Sequence, residues 1–142
     1  MLKNISPIIP PELLKILCEM GHGDEIVIAD GNFPASSVNK RVVRADGHGG
    51  NEILDAVLSV MPLDTYAEEN AILMKVVEGD NTETPIWDEY KKTLGKYEQD
   101  RVKLGFTERF AFYERAAKAY AVIATGESAL YANLILKKGV IT

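Results

Sequence analysis

The chain has 142 residues, 46% of them hydrophobic and 26% charged, and carries a formal net charge of −5. Such a length fits a single domain spanning 1–142 with a substantial core, and the balance excludes a disordered chain. The acidity disfavours a nucleic-acid partner, and without a basic-then-apolar leader or an apolar run near twenty residues neither secretion nor a membrane is expected.

Pro10 and Pro11 open a helix in which Leu13, Leu14, Leu17 and Met20 recur at helical spacing, and Gly21 stops it. The lone Cys18 lies on this helix, read as buried; it cannot form an internal disulfide, which suits a cytoplasmic protein. Glu25 to Asp30 reads as a buried strand, and Gly31 to Ser37 as loop. Arg41 to Arg44 is a short strand, 46–50 a turn, and Asn51 to Val60 a second amphipathic helix ended by Pro62-Leu63-Asp64. Ala71 to Glu78 is strand-like. A long helix is expected from Pro85 to Val102, with Thr84 as its cap. Another runs from Glu108 to Lys118, followed by strands at Tyr120 to Thr125 and Asn133 to Leu136.

Strands alternating with helices predict a three-layer α/β domain around a largely parallel or mixed sheet. Ligands of such sheets sit at the carboxyl ends of strands, where Asp30, Asp46, Glu78 and Thr125 are expected.

Only two histidines are present. His22 stands in Gly21-His22-Gly23, where it is either a plain turn residue or an approachable acid–base group, imidazole being a side chain that can give and take protons. His48, between Gly47 and Gly49, reads as a solvated loop residue, and Asp24 and Glu25 as carboxylates that satisfy the turn. Asp30 either turns the chain or accepts hydrogen bonds from sugar hydroxyls. Arg109, a cation at a helix start, opposes the dipole and calls for a ligand or carboxylate. Tyr131 and Asn133, if extended, share a face and offer a ring and an amide side by side. No histidine pair or thiol pair suggests a metal, and the glycines form no phosphate cradle.

The segments Met20-Gly21-His22-Gly23-Asp24-Glu25-Ile26-Val27-Ile28-Ala29-Asp30, Arg109-Phe110-Ala111-Phe112-Tyr113-Glu114-Arg115 and Ala121 to Val140 resemble the ribose pyranase/fucose mutarotase family, collinearly over nearly the whole chain. Arg109 makes the chain similar to the fucose branch. The resemblance implies an isomerase that interconverts the anomers of L-fucose, and possibly acts on ribose, without any cofactor. It implies His22 as proton donor, with Asp30, Arg109, Tyr131 and Asn133 binding the sugar. It also implies a ring-shaped homo-oligomer, commonly a decamer. Eight residues of extended chain could place His22 and Asp30 roughly 20–26 Å apart, too far for one sugar. Either the chain doubles back after Gly23, or different subunits supply the two residues; the second is expected. A ribose-specific pyranase and a non-catalytic sugar-binding accessory to a transporter are the rival readings.

Overall fold

Side-chain alternation along short apolar strands divides this chain's core between two faces of one sheet. A computed structural model describes residues 1–142. In chain order the elements are α1 (Pro11–Glu19), β1 (Glu25–Ala29), α2 (Ala35–Val38), β2 (Val42–Ala45), α3 (Gly50–Leu58), β3 (Ala71–Met74), α4 (Pro85–Glu98), β4 (Leu104–Thr107), α5 (Arg109–Lys118), β5 (Ala121–Thr125) and β6 (Leu134–Lys137). The strand order is β2-β5-β1-β6-β3-β4. Pairing is parallel between β2 and β5, β5 and β1, and β3 and β4, whereas β6 is antiparallel to both β1 and β3. Five strands therefore point one way, and β6 runs against them in the middle. The expected three-layer α/β architecture with a mixed sheet is what forms.

Ile26, Ile28, Leu73, Ile123, Leu134 and Leu136 project to one side, where they pack with Leu13 and Leu17 of α1, Ile53, Leu54 and Val57 of α3, and Tyr90 and Leu94 of α4. Val27, Ala29, Ile72, Val122 and Ile135 project to the other, under Ala35 of α2 and Phe112 and Ala116 of α5. β1 and β5 are inner strands buried on both faces, which is why each reads as an unbroken apolar run. Glu25, expected to serve the turn, instead receives Arg115 Nε at 2.9 Å and Lys137 Nζ at 3.8 Å, tying α5 and β6 to the start of β1. Asp24 does close the turn, accepting from the Gly21 amide at 2.7 Å.

Several boundaries differ from the sequence expectation. β4 is absent from the expectation, because Leu104-Gly105-Phe106-Thr107 is too short for its alternation to stand out and contains a glycine, beside which the Glu69 carboxylate lies. β3 ends at Met74, so Glu78 belongs to a loop and not to a strand end. α4 stops at Glu98, where a 3-10 turn (Gln99–Arg101) begins with Gln99 at φ +56°. Thr84 occupies the cap position of α4 without a side-chain hydrogen bond. Ala35–Val38 forms one helical turn inside the segment read as loop. Cys18 is exposed, because it lies on the side of α1 turned away from Leu13 and Leu17.

At the far end of β6, Lys138 bridges to Leu63, and Gly139 donates to the Pro62 carbonyl at 2.8 Å. A Cβ on Gly139 would run into the Leu63 carbonyl, which is backbone and cannot swing aside. Gly139→Ala is therefore expected to lower stability by about 1–3 kcal/mol, the usual range for overpacking. Urea denaturation would measure this, and a variant as stable as the parent would show that the 62–64 segment yields freely.

Candidate functional site

The direction of the strands sorts the candidate residues into two groups. Asp30 follows β1, Arg109 follows β4, and Tyr131 and Asn133 precede β6. Because β6 is antiparallel, its start lies at the same sheet edge as the ends of the other strands. All four residues line one cavity of about 370 Å³, together with Phe33, Met74, Leu130 and others.

Within this cavity Asn133 clamps Asp30. Its Oδ1 accepts from the Asp30 amide at 2.8 Å, and its Nδ2 donates to Asp30 Oδ2 at 3.1 Å. The Asn32 amide donates to Asp30 Oδ1 at 2.9 Å. Burial pushes the Asp30 carboxyl above its ordinary range; these donors oppose the shift without cancelling it, and the charge of Glu127 adds to it. Arg109 is exposed, and its Nε donates to the Tyr113 hydroxyl at 3.4 Å. The carboxylate expected near this cation is there for a different reason. Glu108 is the helix cap and accepts from the amides of Phe110 and Ala111 at 3.1 and 2.7 Å. Arg109 is thus left free to face the cavity.

Tyr131 and Asn133 do reach the same cavity, though not through extended backbone. Tyr131 has φ +57°, a left-handed conformation uncommon for a bulky residue. It is held there by Trp87 Nε1, which donates to the Tyr131 carbonyl at 2.8 Å, and by its own hydroxyl, which donates to Asp80 Oδ2 at 2.6 Å. Asp80, which no motif singles out, fastens the 75–83 loop over the cavity rim.

His22 lies at the opposite edge of the sheet. Its turn precedes β1, and the Gly23 amide donates to the Lys138 carbonyl just past β6, at 2.9 Å. The chain does not double back, and His22 is not among the residues that line the cavity. Its ring is half-exposed, with Nε2 3.0 Å from Asp64 Oδ1 and the ring of Tyr66 5.4 Å away. Asp64 is only 4% exposed. Its Oδ1 also accepts from the Tyr66 amide at 3.0 Å, and its Oδ2 from the Ala67 amide at 3.3 Å. Burial pushes this carboxyl up, but the two amides and the His22 ring outweigh it and hold Asp64 below the usual carboxylate range. Sequence reasoning saw Asp64 only as a helix terminator; the faint signal was an aspartate placed to accept from the amide two residues on. His48 is more than a solvated loop residue, since its Nδ1 lies 3.1 Å from Glu52 Oε1, which also accepts from the Gly49 amide.

The arrangement comprises a polar-and-apolar cavity with an acceptor and a cation at one edge, and an imidazole backed by a carboxylate at the other. Comparison with known proteins gives this pairing a context. The chain is 49% identical over 140 residues to an L-fucose mutarotase of Histophilus somni, covering 99% of this chain and 97% of the relative. The crystal structure of FucU from Bifidobacterium longum superposes with a TM-score of 0.96 at 61% identity, over 99% of this chain and all of that one. The fucose mutarotase of Streptococcus pneumoniae in complex with L-fucose superposes at 0.94 with 48% identity, over 99% of this chain and 100% of that one. The Bacillus subtilis RbsD complexed with D-ribose is more distant, at 0.75 and 26% identity over the whole of both chains. Residues 3–141 match the profile of the RbsD / FucU transport protein family, and the chain belongs to that family.

Proposed function

We propose that residues 1–142 act as one sugar mutarotase domain that interconverts the anomers of L-fucose. The observation that carries this reading is the make-up of the cavity, which brings the Asp30–Asn133 pair and Arg109 together with Phe33, Met74 and Leu130. Polar groups of this kind take ring hydroxyls, and an apolar wall suits the methyl group of a 6-deoxy sugar better than a hydroxymethyl. The near-full-length likeness to proteins described as fucose mutarotases supports the same sugar over ribose.

Mutarotation breaks the bond between the anomeric carbon and the ring oxygen, forms the open aldehyde, and closes the ring on its other face. One proton leaves the anomeric hydroxyl and one arrives at the ring oxygen, while no C–H bond breaks and no electrons are transferred, so no cofactor is called for. The His22 imidazole, with two ring nitrogens that can each carry or release a proton, can fill either proton role. Asp30 accepts from a ring hydroxyl, Arg109 donates to one, and Tyr131 and Asn133 orient the ring.

His22 and the cavity are about one strand length apart; from Glu25 to Asp30 alone the chain advances about 17 Å at 3.3 Å per residue. A complete site therefore forms where the amino edge of one subunit meets the carboxyl edge of another. Such a contact joins two different surfaces and closes into rings. The exposed Tyr66 beside His22, and the exposed Val77, Phe110 and Leu130 around the cavity, supply the apolar surface for it. A decamer built from such rings, working in the cytoplasm, fits these features; no helix of the structure is long and apolar enough to cross a membrane.

His22→Ala should lose about 10²–10⁴-fold in anomer exchange, the usual contribution of general acid–base catalysis, with unchanged circular dichroism. Saturation-transfer NMR on L-fucose and D-ribose would measure it. Full activity in the variant would refute the role of His22; wild-type protein that binds fucose without speeding exchange would favour the transport-accessory reading. Mixing inactive His22→Ala and Asp30→Ala subunits under conditions of exchange should restore about a quarter of the sites in a random ring. No recovery from a demonstrably mixed oligomer would place the whole site in one subunit. Because the Asp30 carboxyl is raised, its acceptor role is present above that raised pKa and lost as pH falls through it. Fucose affinity, followed by calorimetry, should thus weaken at a higher pH than an ordinary carboxylate would dictate, and Asp30→Asn should remove that limb.

A further inference from the structure

α4 carries two aromatic residues one helical turn apart, Trp87 and Tyr90, whose polar atoms reach consecutive carbonyls of the segment before β6. Trp87 Nε1 donates to the Tyr131 carbonyl at 2.8 Å, and the Tyr90 hydroxyl donates to the Ala132 carbonyl at 2.7 Å. Tyr90 is fully buried. That burial pushes its phenol up, with the charges of Glu127 and Asp30 adding to the shift, so the group stays a donor. The hydroxyl lies beside Gly50, at the start of α3, where a Cβ would run into it. A glycine read from the sequence as part of a turn thus also leaves room for this hydroxyl.

Each peptide unit is planar, so a fixed carbonyl fixes the whole unit around it. Holding the carbonyls of residues 131 and 132 therefore sets both backbone dihedrals of Ala132, which lies between the two planes. The Cα atoms on either side of it carry Tyr131 and Asn133, so their spacing and directions follow. Tyr131 also receives a backbone it would not choose alone, since φ +57° is uncommon for a bulky residue. We propose that Trp87 and Tyr90 are positioning residues for the sugar, holding Tyr131 and Asn133 at the spacing that a ring in the cavity requires. This rests on the cavity being the L-fucose site, as argued above. Neither residue lines the cavity, so both act only through the segment they hold.

The other end of the same segment is tied down as well. Glu127 Oε2 accepts from the Gly50 amide at 3.0 Å, and its Oε1 accepts from the Ala129 amide at 2.9 Å. The stretch from 126 to 133 is thus moored to α3 at its start and to α4 at its end, both on one face of the sheet. Because these holds act on binding groups while His22 lies at the opposite edge, they govern affinity and not the proton steps.

Trp87 is the only tryptophan of the chain, so its indole N–H gives a single resonance in a ¹H–¹⁵N spectrum of the wild-type protein. Titration with L-fucose should shift that resonance along the saturation curve that calorimetry gives for binding. An indole resonance unmoved at saturation would overturn the proposal. Trp87→Phe and Tyr90→Phe each delete one donor and keep an aromatic ring. Each should raise KM for L-fucose about 2–10-fold, as one lost hydrogen bond would, with kcat kept within about twofold. A role in folding alone would lower Tm and leave KM unchanged, and that result would also overturn the proposal. The indole titration needs no variant, so a substitution that fails to fold does not shield the proposal. If the wild-type protein takes up no L-fucose, the reading of the cavity fails and this proposal with it. If fucose binds wild type and both variants alike, the proposal alone fails.

Discussion

β6 is the part on which both halves of the site depend. It is the single antiparallel strand, inserted between β1 and β3, and it reaches both edges of the sheet. Just before it, Asn133 clamps Asp30 through two hydrogen bonds. At its other end, Lys137 and Lys138 accept the amides of Asp64 and Gly23, fixing the carboxylate and the turn that carries His22. One rigid four-residue strand thus keeps the two halves apart by its own length. A fully parallel sheet would put the end of that strand, not its start, beside Asp30, and Asn133 would be at the wrong edge.

The two buried carboxylates show how local donors decide a charge state. Asp30 is 8% exposed and Asp64 4%, so water screens neither well. At Asp30 the loss of hydration prevails, with Glu127 nearby, and the group is easier to protonate. At Asp64 two amides and the His22 ring converge, and the anion prevails. Hydrogen bonds to a charged group are worth about 1.5–3 kcal/mol each, enough for such a set to reverse the sign of a shift. The cavity carboxylate sits among the residues proposed to hold the sugar ring, and the one behind His22 stays a firm anion.

Much of this was legible in the residues. The apolar runs of β1 and β5 and the helical stripes of α1 and α3 gave the layered α/β class, since each is a strong pattern with clear Gly or Pro punctuation. Asp30 and Arg109 were legible from their places at a strand end and a helix start, and eight extended residues already implied that His22 and Asp30 could not meet in one straight strand. What sequence could not show is whatever depends on distant partners. Asp64 matters through His22, 42 positions away, and Asp80 through Tyr131, 51 positions away. β4 owes its existence to pairing with β3 and not to its own composition. The left-handed turn at Tyr131 is imposed by Trp87, which no local pattern links to it.

The phenol of Tyr131 has a consequence of its own. Its only hydrogen already goes to Asp80, and the Val77 amide approaches the oxygen at 3.4 Å. A guest in the cavity therefore finds an aromatic face and a single remaining lone pair, not a donor. To obtain that hydrogen it would have to unfasten the loop held by Asp80, so the loop's grip and the tyrosine's hospitality are opposed.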